Sequence, residues 1–273
     1  MACGYAVLPL IQSGANLSAA CEWTRELDNM DDATAATYDA LPKVAVDGDV
    51  STLNYEAVAA ADPDLIILGV PERAVADVDL DTLGQLAPVV ILAPTTPSEW
   101  RTLGEQYADA AGVADQYGAA RSEYDAVVAE IAAEHADVLA NATFGSLCTL
   151  CGIYEGTFVR EFASSYTSNL LDDLGANFPG EPADPEELHS EEVSLELLPA
   201  SLGDVDVIVY GVQVDGSPEP GMEDLFDSPL WHALPAVQAG NVIEVRHHAA
   251  ATFPTALLAL DSIREGLAGI TLD

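Results

Sequence analysis

The chain has 273 residues, with 8 Lys and Arg against 46 Asp and Glu and a formal net charge of -38. Eight scattered cations supply no basic patch to displace counterions, which excludes nucleic acid and anionic membrane surfaces as partners. Hydrophobic residues make up 49% and mean hydropathy is +0.19, so the acidic charge belongs to the surface of a folded body and not to a disordered chain.

No run of about 18 apolar residues occurs, so no membrane span is expected. Met1, Ala2, Cys3 and Gly4 carry no charged leader region, and no export signal is read within these residues. "MACGY" reads as the end of a first strand, and "YAVLPLIQSGA" as a helix. A strand is expected within "GANLSAACEW", Gly14 to Trp23. From Tyr55, "YEAVAAADPDLIILG" predicts a helix stopping at Asp62-Pro63, then an apolar strand from Leu65 to Leu68 closed by Gly69. An uninterrupted apolar run bounded by turn residues reads as a strand buried on both faces of a parallel sheet.

"APVVILAP" (Ala87 to Pro94) is another short strand. The longest helical signal follows, from Asp115 to Ala140, with Tyr117, Ala120, Tyr124, Val127, Val128 and Ile131 at helical spacing. At 1.5 Å per residue it would be roughly 39 Å long, and it reads as a stiff connecting helix. "FPGEPADPEELHSEE" (Phe178 to Glu192) reads as a surface loop. From Leu195, "LELLPASLGDVDVIVYG" repeats the earlier helix-strand phrase, with Val207 to Tyr210 as the strand and Gly211 as its stop. Glu56 precedes Gly69 by thirteen residues and Glu196 precedes Gly211 by fifteen, so the two units match apart from two residues. "NVIEVR" (Asn241 to Arg246) is a last strand. Expected is an α/β fold of two Rossmann-like lobes with parallel sheets, at 1–114 and 141–273, joined by one backbone helix at 115–140.

These phrases resemble a known family. "STLNYEAVAAADPDLIILG", "WRTLGEQYADAAGVADQYGAA", "LLDDLGA", "SPLWHALPAVQAGNVIEV" and "ALLALDSIREGLAG" are similar, in order, to segments of the substrate-binding proteins of iron-siderophore and cobalamin ABC importers. The resemblance implies an extracytoplasmic protein, periplasmic or lipid-anchored at the cell surface, monomeric, working with a permease and its ATPase subunits. It implies a ferric siderophore as ligand in a cleft between the lobes, with haem or cobalamin as alternative cargo, and no intrinsic cofactor. It also implies that one acidic residue on each lobe meets arginines of the permease; Glu56 and Glu196 occupy the matching places.

In open α/β sheets, ligands gather beyond the carboxyl ends of the strands. The candidates there are Trp23, Arg25, Arg73, Trp100, Tyr154, Arg160, Tyr210, Arg246 and His247. Three of only eight cations, Arg73, Arg160 and Arg246, fall at strand ends or in the loops that follow. Guanidinium forks suit the oxygens of an anionic ferric chelate, whereas each arginine taken alone reads equally well as a surface ion pair. Trp23 and Trp100 read as core packing or as an apolar wall against a chelator. Adjacent residues of a strand point to opposite faces, so His247 and His248 are not expected to share a metal. His247 or Tyr154 would ligate iron only if the cargo is haem.

Cys148 and Cys151 form a lone CxxC, read with Cys3 and Cys21 as buried or disulfide-paired. No GxSxG, Walker A, GxGxxG or HExxH string is present, so no catalytic residues are named. An enzyme or a metal-cluster protein on the same two-lobed plan is the reading outside the family.

Overall fold

The apolar phrase of the first repeat becomes strand Ile66–Gly69, every residue of it buried. That of the second becomes Val207–Gly211, buried throughout. A computed structural model describes residues 1–46, 48–76, 78–92, 94–151, 156–183 and 189–272, without the side chains of Arg25, Glu26, Asp28 and Glu72. Among the described residues no helix is long and apolar enough to cross a membrane.

The strands are β1 (Ala2–Gly4), β2 (Ile66–Gly69), β3 (Val89–Ile91), β4 (Phe144–Leu147), β5 (Thr157–Glu161), β6 (Ser190–Ser194), β7 (Val207–Gly211) and β8 (Val242–Val245). The helices up to residue 141 are α1 (Val7–Gln12), α2 (Asp32–Ala40), α3 (Tyr55–Ala60), α4 (Glu72–Val75), α5 (Leu80–Leu86), α6 (Trp100–Ala110), α7 (Ala114–Glu134) and α8 (Ala136–Asn141). After it come α9 (Ser168–Asp173), α10 (Leu198–Leu202), α11 (Glu223–Phe226), α12 (Pro229–His232), α13 (Pro235–Ala239) and α14 (Phe253–Gly269). Two compact units emerge. Unit 1 holds 1–95, 99–122 and 251–254; unit 2 holds 96–98, 123–250 and 255–273.

In unit 1, β1, β2 and β3 pair in parallel in that order. Single bridges add Ala20 beside Ala2 and Lys43 beside Ala20. Counting those as second and third strands, the spatial order is 3-2-1-4-5, the doubly wound arrangement, and its direction of growth reverses between β1 and β2. Ile66 and Leu68 point into one core layer with Val44, Val58 and Leu83, while Ile67 is buried on the opposite face. Cys3 and Cys21 form a disulfide within that layer. The helices start where short polar side chains satisfy free amides: Asp31 accepts from the Thr34 N–H, Asn54 from Ala57 and Asp79 from Thr82. The strand expected in Gly14–Trp23 appears as the bridge at Ala20, with backbone hydrogen bonds from Ala2 to Ala19, from Cys21 to Ala2 and from Glu22 to Ala45 around it.

Unit 2 has five strands in the order β6-β5-β4-β7-β8. β4, β7 and β8 are parallel, as expected of the repeat. β5 and β6 add antiparallel at one edge, so the second sheet is mixed and not purely parallel. β6 also takes the last residues of the stretch read as a loop from Phe178 to Glu192. Tyr210, Ile208, Leu147 and Phe158 pack one face against Leu198, Met222, Leu225 and Trp231. The helix expected over 115–140 starts at Ala114 and is interrupted at His135, whose φ of -111° and ψ of 23° separate α7 from α8. α7 has 21 residues, and its first nine belong to unit 1 and the rest to unit 2.

Candidate functional site

The carboxyl end of the unit 1 sheet is built by glycines that end its two central strands. Gly4 has φ +62°, and a Cβ there would lie 2.3 Å from the Gly69 carbonyl oxygen, so only glycine lets β1 and β2 meet so closely. Tyr5, the next residue, donates its backbone N–H to that same oxygen at 2.8 Å. Its ring stands edge-on to Trp23 with centroids 5.2 Å apart, and Gly48 approaches the Trp23 ring so closely that a Cβ would come within 2.7 Å. Trp23 is half-buried, its backbone N–H bonded to the Tyr38 hydroxyl. The sequence "YAVLPLIQSGA" reads as helix from Tyr5 onward, but the helix begins at Val7, and Tyr5 is the first residue beyond β1.

Trp100 is different. It is buried, its ring 4.9 Å from Phe253 and under the Arg101 guanidinium at 4.3 Å, so it packs the interior of unit 1 and presents no wall to a ligand. Tyr210 is buried too, stacked with Phe226 and Trp231 while its hydroxyl donates to Glu244 Oε1 at 2.8 Å. Burial first, and that carboxylate second, hold the phenol well above its ordinary pKa. Both side chains are thus buried and packed against aromatic neighbours. The side chain of Arg25 and the whole of Tyr154 lie outside the described residues.

Unit 2 ends its strands on Leu147, Gly211 and Val245. Past β8, His247 adopts φ +55° and is half-buried; burial, then the charges of Arg246 and His248, push its pKa below the usual value. His248 is buried, with Nε2 3.1 Å from Glu219 Oε1, and a Cβ on Gly211 would sit 2.0 Å from its Nδ1. His247 and His248 lie in the turn after β8 and not in a strand, so strand alternation does not set their directions; His247 is half-buried and His248 is buried beside Gly211 of β7. Among the described residues no three His, Cys, Asp or Glu side chains converge to hold a metal ion.

The cations sort into two classes. Arg121 pairs with Glu105 at 3.3 Å, Arg246 with Glu265 at 2.9 Å, and Arg264 with Glu130 and Glu134 at 2.7 and 3.1 Å. Arg160 lies on β5, not in a loop, opposite Leu147 at the carboxyl end of β4. Its Nη2 donates to the Pro179 carbonyl at 3.0 Å and its guanidinium lies 4.8 Å from the Phe162 ring. Burial holds its pKa below the usual arginine value, with Glu191 acting the other way. Arg73 is exposed on α4, directly after β2. Neither Arg160 nor Arg73 has a carboxylate oxygen within 4.0 Å among the described residues, in a chain with 46 acidic side chains.

Glu56 stands exposed in the first turn of α3, the helix that leads into β2. Glu196 stands exposed in the 3-10 turn Leu195–Leu197 that opens α10, the helix that leads into β7. The two glutamates therefore hold the same place in the two repeats, each ahead of a central strand that ends in glycine.

A profile of the periplasmic binding protein family matches residues 17–249. The chain belongs to that family. That family is one of substrate-binding proteins. A search of functionally curated proteins gives no match. Among solved structures it is similar to the siderophore periplasmic binding protein from the fuscachelin gene cluster of Thermobifida fusca, at 27% identity and TM-score 0.79, covering 99% of this chain and 96% of that one. It shares its fold with FhuD of Vibrio cholerae, solved with bound Fe3+-Desferal, at 19% identity and TM-score 0.74 over 99% of this chain and 98% of that one. FeuA of Bacillus subtilis, a triscatecholate siderophore binding protein complexed with ferri-bacillibactin, matches at 18% and 0.71 over 98% and 91%.

Proposed function

We propose that this periplasmic binding protein captures a ferric siderophore outside the cytoplasmic membrane and delivers it, as a monomer, to the permease of an ABC importer and its ATPase subunits. One observation carries the reading. Arg73 and Arg160, at the carboxyl ends of the two sheets, have no carboxylate oxygen within 4.0 Å among the described residues, although acidic residues outnumber basic ones almost sixfold. Glu191 stands opposite Arg160 across the β5–β6 pair and acts on it without contact, so the guanidinium keeps donors for an anionic ligand, and a ferric catecholate or carboxylate complex is one. Arg246, neutralised by Glu265, is demoted by the same criterion. Trp23 and Tyr5 add an aromatic surface beside the unit 1 strand ends. The likeness to the Thermobifida fusca protein over nearly the whole chain supports the same substrate class.

Fluorescence titration tests it, with Trp23 as the partly exposed reporter. Ferric catecholate and hydroxamate siderophores, haemin and cobalamin are compared. Saturable quenching by a ferric siderophore, with the chelate recovered intact, is expected; binding confined to haemin or cobalamin overturns the ligand. For the permease, Glu56→Lys with Glu196→Lys is expected to abolish iron uptake while leaving chelate affinity unchanged. Wild-type uptake by that double variant would refute the docking role.

A further inference from the structure

The Cys148–Cys151 pair is a disulfide separated by three positions in sequence, immediately after β4. Its two residues are unequally placed: Cys148 is 2% exposed, whereas Cys151 is only partly buried. The backbone N–H of Cys151 donates to Cys148 Sγ at 3.2 Å. Thr149, between them, is buried with its hydroxyl unbonded among the described residues. The other disulfide contrasts at each point. Cys3 and Cys21 are both fully buried in the core of unit 1 and close a loop of separation 18.

A cross-link restricts the unfolded chain more as the loop it closes grows, so Cys3–Cys21 is explained as a staple and Cys148–Cys151 is poorly explained as one. What its geometry does suit is exchange. Attack needs one reachable sulfur, and the departing sulfur needs help to carry negative charge. Burial alone would disfavour a Cys148 thiolate, but the Cys151 N–H already points at that atom. This donor takes the place of the helix N-terminus that a CxxC redox site usually relies on.

We propose that Cys148–Cys151 is a thiol–disulfide exchange site, with Cys151 as the attacked sulfur and Cys148 as the leaving sulfur, reduced by external dithiols. A thiolate of the dithiol forms a bond to Cys151 Sγ as the Cys148–Cys151 bond breaks, and the electron pair leaves on Cys148 Sγ. The second thiol of the reductant, deprotonated, then attacks its own sulfur in the mixed disulfide and releases Cys151 as thiolate. Two electrons pass from the dithiol, which becomes a disulfide, and the two cysteines take up its two protons. The site stands whatever the ligand is.

Native protein is treated with graded dithiothreitol, quenched with iodoacetamide and mapped by peptide mass spectrometry, with circular dichroism on the same samples. Cys148 and Cys151 are expected to be alkylated at a dithiothreitol concentration at least about tenfold below that needed for Cys3 and Cys21, with the native spectrum retained. Acid quenching after brief exposure to glutathione is expected to trap the mixed disulfide on Cys151. Reduction of both pairs together, reduction only on unfolding, or glutathione trapped on Cys148 each overturns the proposal.

Discussion

Ser146 and Glu161 face each other across the β4–β5 pair, and the Ser146 hydroxyl donates to Glu161 Oε2 at 2.8 Å with both side chains sealed from water. The Thr167 N–H donates to the same oxygen at 3.2 Å, while Oε1 is buried without a bond among the described residues. Desolvation outweighs these bonds and raises the carboxyl from 4.5 to about 7.

A raised acid binds its proton more tightly in the folded state than in the unfolded one. Stability therefore falls as pH rises from 4.5 through 7, and the whole penalty persists above 7. At about 1.4 kcal/mol per unit this amounts to at most about 3.5 kcal/mol. Urea denaturation of wild type and Glu161→Gln at pH 5 and pH 8 measures it. The difference between them is expected to move in favour of the variant as pH rises; a difference independent of pH would show that Glu161 is ionised at both.

Arg73→Glu and Arg160→Glu are each expected to weaken ferric catecholate binding by about 10-fold or more, since a desolvated charge-assisted contact is worth about 1.5–3 kcal/mol. Arg246→Ala is expected to change affinity less than about threefold, because Glu265 already neutralises a partly exposed guanidinium. Titration of the three variants ranks them, and a loss greatest at Arg246 would reverse the assignment.

Gly211→Ala would drive a methyl group into the His248 ring and part it from Glu219. Overpacking of that kind costs about 1–3 kcal/mol. His248→Ala placed in the same chain removes the clash, so the double variant is expected to be more stable than the sum of its parts. Additive losses in denaturant melts would show that the ring has room to move.

With a net charge of -38, self-repulsion among carboxylates outweighs the few ion pairs that salt would weaken. Screening shortens from about 10 Å at 0.1 M to about 3 Å at 1 M salt. The melting temperature is expected to rise by several degrees over that range, equally in NaCl and KCl, as calorimetry would show. A fall would mean that pairs such as Arg264 with Glu130 and Glu134 dominate.

The central strands were legible because full burial on both faces leaves no polar residue in Ile66–Leu68 or Val207–Tyr210. β6 was not, since "SEEVS" is an edge strand whose exposed side keeps its charges, and its place depends on β5. No proline or glycine marks the break at His135, so periodicity ran straight through it. The same limit applied to the site. Position relative to strand ends picked out Arg73 and Trp23, but only packing separates Trp23 from Trp100, and only ion-pair partners separate Arg160 from Arg246.

Phe253, twenty residues from the end of the chain, completes the interior of unit 1, its ring 4.9 Å from Trp100 and 5.1 Å from Tyr117. The first unit is therefore discontinuous in the chain: its strands lie within the first 95 residues, and the aromatic plug of its core is supplied by a segment, 251–254, that follows more than a hundred intervening residues.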